Sequence, residues 1–211
     1  EEEQGPPEEL ELIAERLEDA GISTDDRFNR LDFGGKAPWD HQRRPPEEMV
    51  GNYGVYATAE DDLAIIDVDD PEIAPLEELP ETFGVSSPHG DDDRAHWFVA
   101  VDDLEELPEI LGTWNHKPSW GDVRVANQYV VGPGSQLDAE GCDTGDYEAG
   151  EPEGCPECSS ATGGTYDVVD DSPIARIDVD ELVELLSDDE QIEITDPDRF
   201  GGSSHFDDEE R

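Results

Sequence analysis

The apolar run Leu63-Ala64-Ile65-Ile66 ends in Asp67-Val68-Asp69. Two carboxylates one residue apart, where a chain leaves the core, offer hard oxygen donors to a divalent cation. If the strand continues through Asp69, its period of two puts both side chains on one face. Two cations with open positions for substrate oxygens require a third carboxylate. Asp122, in Gly121-Asp122-Val123-Arg124, supplies it provided that it lies on the same side of the sheet. Spacing alone discriminates weakly here, because Asp-x-Asp recurs at 91/93, 178/180 and 196/198. At Asp178-Val179-Asp180 a basic residue, Arg176, interrupts the apolar approach and a helix begins at once, so capping accounts for that pair. A solvated turn is the alternative reading of Asp67 and Asp69.

Two further clusters bear on chemistry. Cys142, Cys155 and Cys158 form a Cys-x₂-Cys pair with a more distant third thiol, and Gly154 and Pro156 tighten the turn as in a zinc knuckle. Three cysteines cannot all pair within one chain, so the choice lies between structural zinc and free thiols in an unfolded insertion. A fourth ligand would come from Asp143, Glu157 or His116. The segment Phe33-Gly34-Gly35-Lys36-Ala37-Pro38-Trp39 carries a Gly-Gly-Lys, but Arg30 stands where a phosphate-binding loop needs glycine and Ala37 where it needs Ser or Thr. ATPase and helicase activities are thereby excluded.

The elements that must position these residues are short. Leu10, Ile13, Leu17 and Ala20 make a helical stripe that starts after Pro6-Pro7 and closes at Gly21. Residues 22–50 read as loop-rich. A strand pair follows at Gly54–Ala57 and Leu63–Val68 around the acidic turn Glu60–Asp62, then a strand at Ala95–Val101 and a second pair at Asp122–Val125 and Gln128–Val131. Residues 136–165 hold the cysteines and return to a strand at Tyr166–Val169, after which Asp178 or Asp180 caps a helix over Glu181–Leu186. The predicted fold is α+β, a mixed sheet with flanking helices. The domain plan is an acidic leader over 1–5, one domain over 6–187 with an insertion at 136–165, and a solvated acidic tail over 188–211.

Composition sets the medium. The 211 residues carry 59 Asp+Glu against 12 Lys+Arg, a formal charge of −47, with only two lysines beside ten arginines. Such a surface suits molar salt, where the Debye length falls to ~3 Å and self-repulsion is screened; the expectation is an extreme halophile. The charge then reflects solvent more than partner, and it excludes an ordinary low-salt nucleic-acid binder. No apolar run approaches the roughly 18 residues of a spanning helix, and Glu1-Glu2-Glu3 is unlike a signal peptide, so a soluble, cytoplasmic protein is expected, with no membrane partner. The first residue is not Met, which suggests a trimmed or partial chain.

Taken in order, Ile65-Ile66-Asp67-Val68-Asp69-Asp70-Pro71, Ser87-Pro88-His89-Gly90 before His96-Trp97-Phe98, Asp122-Val123-Arg124, and Tyr129-Val130-Val131-Gly132-Pro133-Gly134-Ser135 resemble the catalytic core of the bifunctional primase–polymerase (prim-pol) family of the archaeo-eukaryotic primase superfamily, typical of plasmids and viruses. The likeness spans roughly residues 30 to 187. It implies an RRM-like mixed sheet and template-directed nucleotidyl transfer to a 3′-hydroxyl, with nucleoside triphosphates, a DNA template and two Mg²⁺ or Mn²⁺ ions. Asp67, Asp69 and Asp122 match the family's metal-binding acids. His96 matches the histidine that contacts the incoming nucleotide, with His89 as its rival. Arg124 falls where a basic residue often lies near the triphosphate, and Lys36, within Lys-x-Pro, resembles an N-terminal signature. The resemblance also allows a zinc-bearing insertion and a replicative helicase on a separate chain or missing domain. The chain departs from the pattern before the histidine, where Gly90-Asp91-Asp92-Asp93-Arg94 replaces a Gly-Gly turn. Three rival classes are a catalytically idle replication accessory, an acidic DNA mimic and a metal-dependent phosphoesterase. A mimic needs no aligned strand-end acids, and a phosphoesterase needs neither the Arg124 strand nor the Gly132–Ser135 turn.

Overall fold

Strands buried on both faces need no polar alternation, and Leu63–Ile66 is such a case. A computed structural model describes residues 6–88, 94–138 and 163–187. In it β3 (Leu63–Val68) lies inside a six-stranded sheet, flanked by β5 (Ala95–Asp102) and β6 (Gly121–Arg124), both antiparallel to it. Beyond β5 come β4 (Gly84–Ser86) and β10 (Val168–Asp170), while β11 (Ala175–Asp178) runs parallel to the C-terminal half of β5.

Each face of this sheet has its own core. Leu63, Ile65, Phe98, Ala100 and Val85 pack beneath α1 (Glu9–Asp19) and a second, three-stranded sheet ordered β1 (Phe28–Arg30), β2 (Tyr53–Ala57), β7 (Gln128–Val131). Ala64, Ile66, Val68, Val99 and Val123 pack on α2 (Leu107–Leu111) and α3 (Val179–Ser187). Each fully buried Leu, Ile or Phe contributes about 1.5–3 kcal/mol, so the layers sandwiching β3 fix the point at which it must release Asp67. The architecture is α+β with a mixed sheet, as the element order predicts.

Pairing differs from chain order. The strands flanking Glu60–Asp62 fall in different sheets, and so do those flanking Ala126-Asn127. The two connections carry the chain from one sheet to the other at the same end, and the cleft between the sheets holds the candidate site.

Helix ends follow local chemistry. At the end of α1, Ile22 N–H donates to Leu17 O at 2.9 Å and Gly21 N–H to Glu18 O at 2.9 Å, with Gly21 at φ +80°. This six-to-one closure needs the left-handed conformation that glycine adopts freely. At α3, Glu181 N–H donates to Asp178 Oδ1 at 2.8 Å while Asp178 N–H donates to Glu181 Oε2 at 2.9 Å, a reciprocal capping box. Asp178→Ala is expected to cost about 1 kcal/mol, readable as a lowered denaturant midpoint at unchanged m-value.

Several elements carry no clear sequence signal. β1 is three residues long, β4 follows a Pro-rich loop, α2 begins with Leu-Pro, and β11 merges into the cap of α3. The strand expected over Tyr166–Val169 is displaced to Val168–Asp170, because Tyr166 turns its ring into the core. The ends of the Cys-bearing segment are drawn together by the two-stranded ribbon β8 (Gln136–Leu137) and β9 (Gly164–Thr165). Cys142, Cys155, Cys158, Asp143 and Glu157 lie outside the described residues, as do His89, Gly90–Asp93, the leader and the tail. Among the described residues no helix is long and apolar enough to cross a membrane.

Candidate active site

Register decides whether the acids meet. Asp67 stands directly opposite Asp122 of β6 on one side and His96 of β5 on the other. Opposed residues of antiparallel strands share a face, so Asp122, Asp67 and His96 form one row across three strands. β3 ends at Val68, so strand parity does not extend to Asp69, whose N–H donates to Trp120 O at 2.9 Å. The condition that Asp122 lie on the same side of the sheet as Asp67 is met.

Glycine makes the row possible at one point. A Cβ on Gly121 would run into the backbone carbonyl of Asp67, so only glycine lets β6 close on β3 and set Asp122 across from Asp67. Gly121→Ala is expected to cost about 1–3 kcal/mol through overpacking and to displace Asp122, seen as a lower thermal midpoint together with loss of any cation affinity at the row.

The carboxylates are matched by cations. Arg124, two residues along β6, donates from one Nη2 to Asp67 Oδ2 at 2.6 Å and lies 3.3 Å from Asp122 Oδ2. Its Nη1 donates to Tyr129 O at 3.2 Å. Lys117 Nζ is 3.2 Å from Asp122 Oδ1, and His96 Nε2 is 3.3 Å from Asp67 Oδ1. Burial alone would raise the Asp67 carboxyl, but His96 and Arg124 outweigh it and hold the group well below the usual carboxylate range. Asp69 is raised, first by burial and then by the like charges of Asp67 and Asp122. Lys36 is lowered by desolvation at the pocket wall, against the pull of Asp67 and Asp69. These mutual influences place Lys36, Asp67, Asp69, Asp122 and Arg124 in one electrostatic unit.

The unit opens into a pocket of about 450 Å³ between the two sheets, lined by Lys36, Tyr56, Asp67, His96, Arg124, Tyr129 and Tyr166 among others. Tyr56 and Tyr129 pack at 5.3 Å between ring centroids, and Arg43 stands 5.6 Å over the Tyr56 ring. Tyr129 donates its hydroxyl to Lys36 O at 2.9 Å. Tyr166 stacks on His96 with centroids 5.6 Å apart, and its phenol is raised above its ordinary value by burial. His96 is 6% exposed, and its buried Nδ1 has no hydrogen-bond partner among the described residues.

Of the residues named from the sequence, Lys36, Asp67, His96 and Arg124 line this pocket, while Asp122 stands beside it opposite Asp67 and Asp69 follows the end of β3. Sequence reasoning misses Tyr56, Tyr166, Arg43 and Lys117. Tyr56 follows β2 parity and could have been found, whereas Tyr166 and Lys117 arrive through loops with no periodicity. His116, named as a zinc ligand, is buried with Nε2 2.9 Å from Thr113 O, which anchors the loop leading to β6.

The donor set suits a hard divalent ion. Oxygen is the only donor type among the three acids, and a cation would offset the like charges of Asp67 and Asp122 that, after burial, raise Asp69. Among the described residues, however, no three His, Cys, Asp or Glu side chains converge as a metal cluster; the acids are aligned, with Arg124 bridging two of them.

The model of a known domain family, described as bifunctional DNA primase/polymerase, N-terminal, matches residues 36–177 of this chain. That span covers more than half of the chain and includes every residue of the row. No curated protein matches.

Proposed function

Since the chain belongs to the family of bifunctional DNA primase/polymerase N-terminal domains, we propose that the Asp122–Asp67–His96 row is the centre of template-directed nucleotidyl transfer to a 3′-hydroxyl. The observation that carries this reading is the register that sets Asp122 face to face with Asp67, which lines a pocket bearing Lys36 and Arg124.

Asp67, Asp69 and Asp122 would hold two Mg²⁺ or Mn²⁺ ions. Bound there, such ions lower the pKa of an attacking hydroxyl and offset the charge that builds at the α-phosphorus. The residues of the chain supply the rest by positioning and electrostatics, as is usual in phosphate chemistry. Arg124, now bridging Asp67 and Asp122, carries the charge best placed to turn towards a triphosphate once those carboxylates have another counterion. Lys36 lines the same pocket, and Arg43 stands over the ring of Tyr56, which also lines it. His96, braced by Asp67 and by the Tyr166 ring, lines the pocket that would receive the incoming nucleotide. The Tyr56–Tyr129 pair gives an apolar wall for a base or sugar. A helicase on another chain or domain would deliver the unwound template, and zinc on the cysteines would serve only to staple the insertion.

A second reading is favoured by one observation. Arg124 and Lys117 already neutralise Asp67 and Asp122, as expected of an idle relative that binds nucleic acid without turnover. The two readings separate in one assay. The full chain is given a single-stranded DNA template, with and without a primer, labelled nucleotides and Mg²⁺ or Mn²⁺ in molar KCl. Template-dependent products support the transferase; nucleotide and DNA binding without product supports the idle relative.

A further inference from the structure

A second concavity of about 250 Å³ lies outside the carboxylate pocket, lined by Arg30, Leu31, Phe33, Trp39, Val50, Gly51 and Asn52. Phe33 is 68% and Trp39 71% exposed, the two largest such values among the chain's large apolar side chains described. Burying neither ring is costly in water, and two aromatics standing open around one hollow suggest a flat apolar partner.

The scaffold beneath them is fixed. Asp32 N–H donates to Ala37 O at 2.8 Å and Trp39 N–H to Arg30 O at 2.9 Å, so residues 30–39 fold back as a hairpin. Arg30 donates from Nε and Nη2 to Glu48 O at 3.2 and 2.7 Å, and Asn52 donates from Nδ2 to Gln136 O at 2.6 Å. The rings are therefore presented on a braced support, which lowers the entropy cost of using them.

Charge identifies the occupant. Between positions 27 and 44 the chain carries five bases and only Asp32 and Asp40 as acids; Arg27 is buried against Asp61 and Arg44 pairs with Asp40 and Glu48, so the positive charge near the hollow comes chiefly from Arg30. Arg30 directs its guanidinium to a carbonyl rather than a carboxylate, so its charge is available to an anion at the hollow. The same hairpin sends Lys36 into the carboxylate pocket and Phe33 and Trp39 into this one. A ligand that is flat and stackable at intervals, negatively charged between, and long enough to follow this hairpin from the hollow to the carboxylate pocket is a single nucleic-acid strand.

We infer that the 30–39 hairpin docks the single-stranded DNA template, with bases stacked on Trp39 and Phe33 and phosphates passing Arg30 towards Lys36 and the carboxylate row. This rests on the template-directed reading above. Stacking also suits the medium, because phosphate contacts weaken steeply with salt whereas base–aromatic contacts do not depend on counterion release.

The test is fluorescence anisotropy of a labelled oligothymidylate with the full chain in molar KCl, alongside primer extension by the native chain. Trp39→Ala and Phe33→Ala are each expected to weaken binding by about tenfold or more, Trp39→Tyr to retain most of the affinity, and Trp39→Leu to lose it. Ile73→Ala, a 56% exposed apolar residue elsewhere, is expected to change nothing. Native-like affinity in both alanine variants overturns the inference, as does equal loss in Trp39→Tyr and Trp39→Leu. A native dimer that Trp39→Ala converts to monomer, with oligonucleotide affinity intact, assigns the hollow to a second copy and also overturns it. If the native chain extends primers while the alanine variants bind normally, the docking surface fails and the transferase stands. If the aromatic dependence holds but no product forms, the transferase fails and a single-strand binding site is left.

Discussion

Asp67→Asn is expected to lower nucleotide incorporation by about three orders of magnitude or more, the scale on which removal of a preorganised charge acts in catalysis. Asp67 is the middle of the row. It faces Asp122 on β6 and His96 on β5, and it accepts a hydrogen bond from Arg124. Asparagine keeps the shape but removes the charge that braces His96 and Arg124, so both the proposed cation site and the groups proposed to face the nucleotide would be disturbed at once. The variant should still fold, because the apolar run behind it, Leu63–Ile66, is fully buried and untouched. Single-turnover primer extension measures the loss, and circular dichroism checks the fold. Incorporation within about tenfold of the native rate, by a folded variant, would remove Asp67 from the chemistry.

The second large effect is on stability. Transfer from molar KCl to about 0.1 M salt lengthens the Debye length from ~3 to ~10 Å, and 59 acids against 12 bases then repel across the whole surface. Among the described residues the ion pairs that answer this repulsion are few, and some of the cations that could help, Arg124 and Lys117, are committed to the row. The expected loss is comparable to the ~5–15 kcal/mol stability of an ordinary domain, so the chain should unfold cooperatively as salt is withdrawn. Intrinsic Trp fluorescence and far-UV circular dichroism during dialysis read the transition. An uncharged osmolyte should not replace KCl, because it strengthens burial without screening charge. A thermal midpoint unchanged between the two salts would contradict the salt-adaptation reading.

How much of this could be read in the chain follows from which interactions are local. The α1 stripe, its Gly21 stop, β3 and the cap at Asp178 are set by residues within a turn or two of one another, and each is legible. The likeness to primase–polymerase domains was legible too, because the order of short motifs survives even where each is weak alone. What could not be read is pairing. The resemblance names Asp122 as a partner acid, but no local signal shows that it pairs directly opposite Asp67; that depends on Gly121, whose missing side chain admits the Asp67 carbonyl. Nor does the turn at Glu60–Asp62 reveal that the strands on either side enter different sheets. Arg124 shows the limit of residue type as a guide. The resemblance places it near a triphosphate, and the fold sets it on the carboxylates that would serve the same reaction. The sequence around Tyr166 reads as a strand, yet its ring packs against His96 in the pocket.

The claim on which the account turns is that Asp67, Asp69 and Asp122 together bind divalent cations, and Mn²⁺ titration followed by electron paramagnetic resonance tests it without requiring turnover. The titration is run in molar KCl, where weak binding by scattered surface acids is screened. The native chain is expected to show saturable Mn²⁺ binding that Asp122→Asn weakens by about a hundredfold or more and that the triple variant Asp67→Asn, Asp69→Asn, Asp122→Asn lacks. Equal Mn²⁺ binding by the native chain and a folded triple variant would contradict the account.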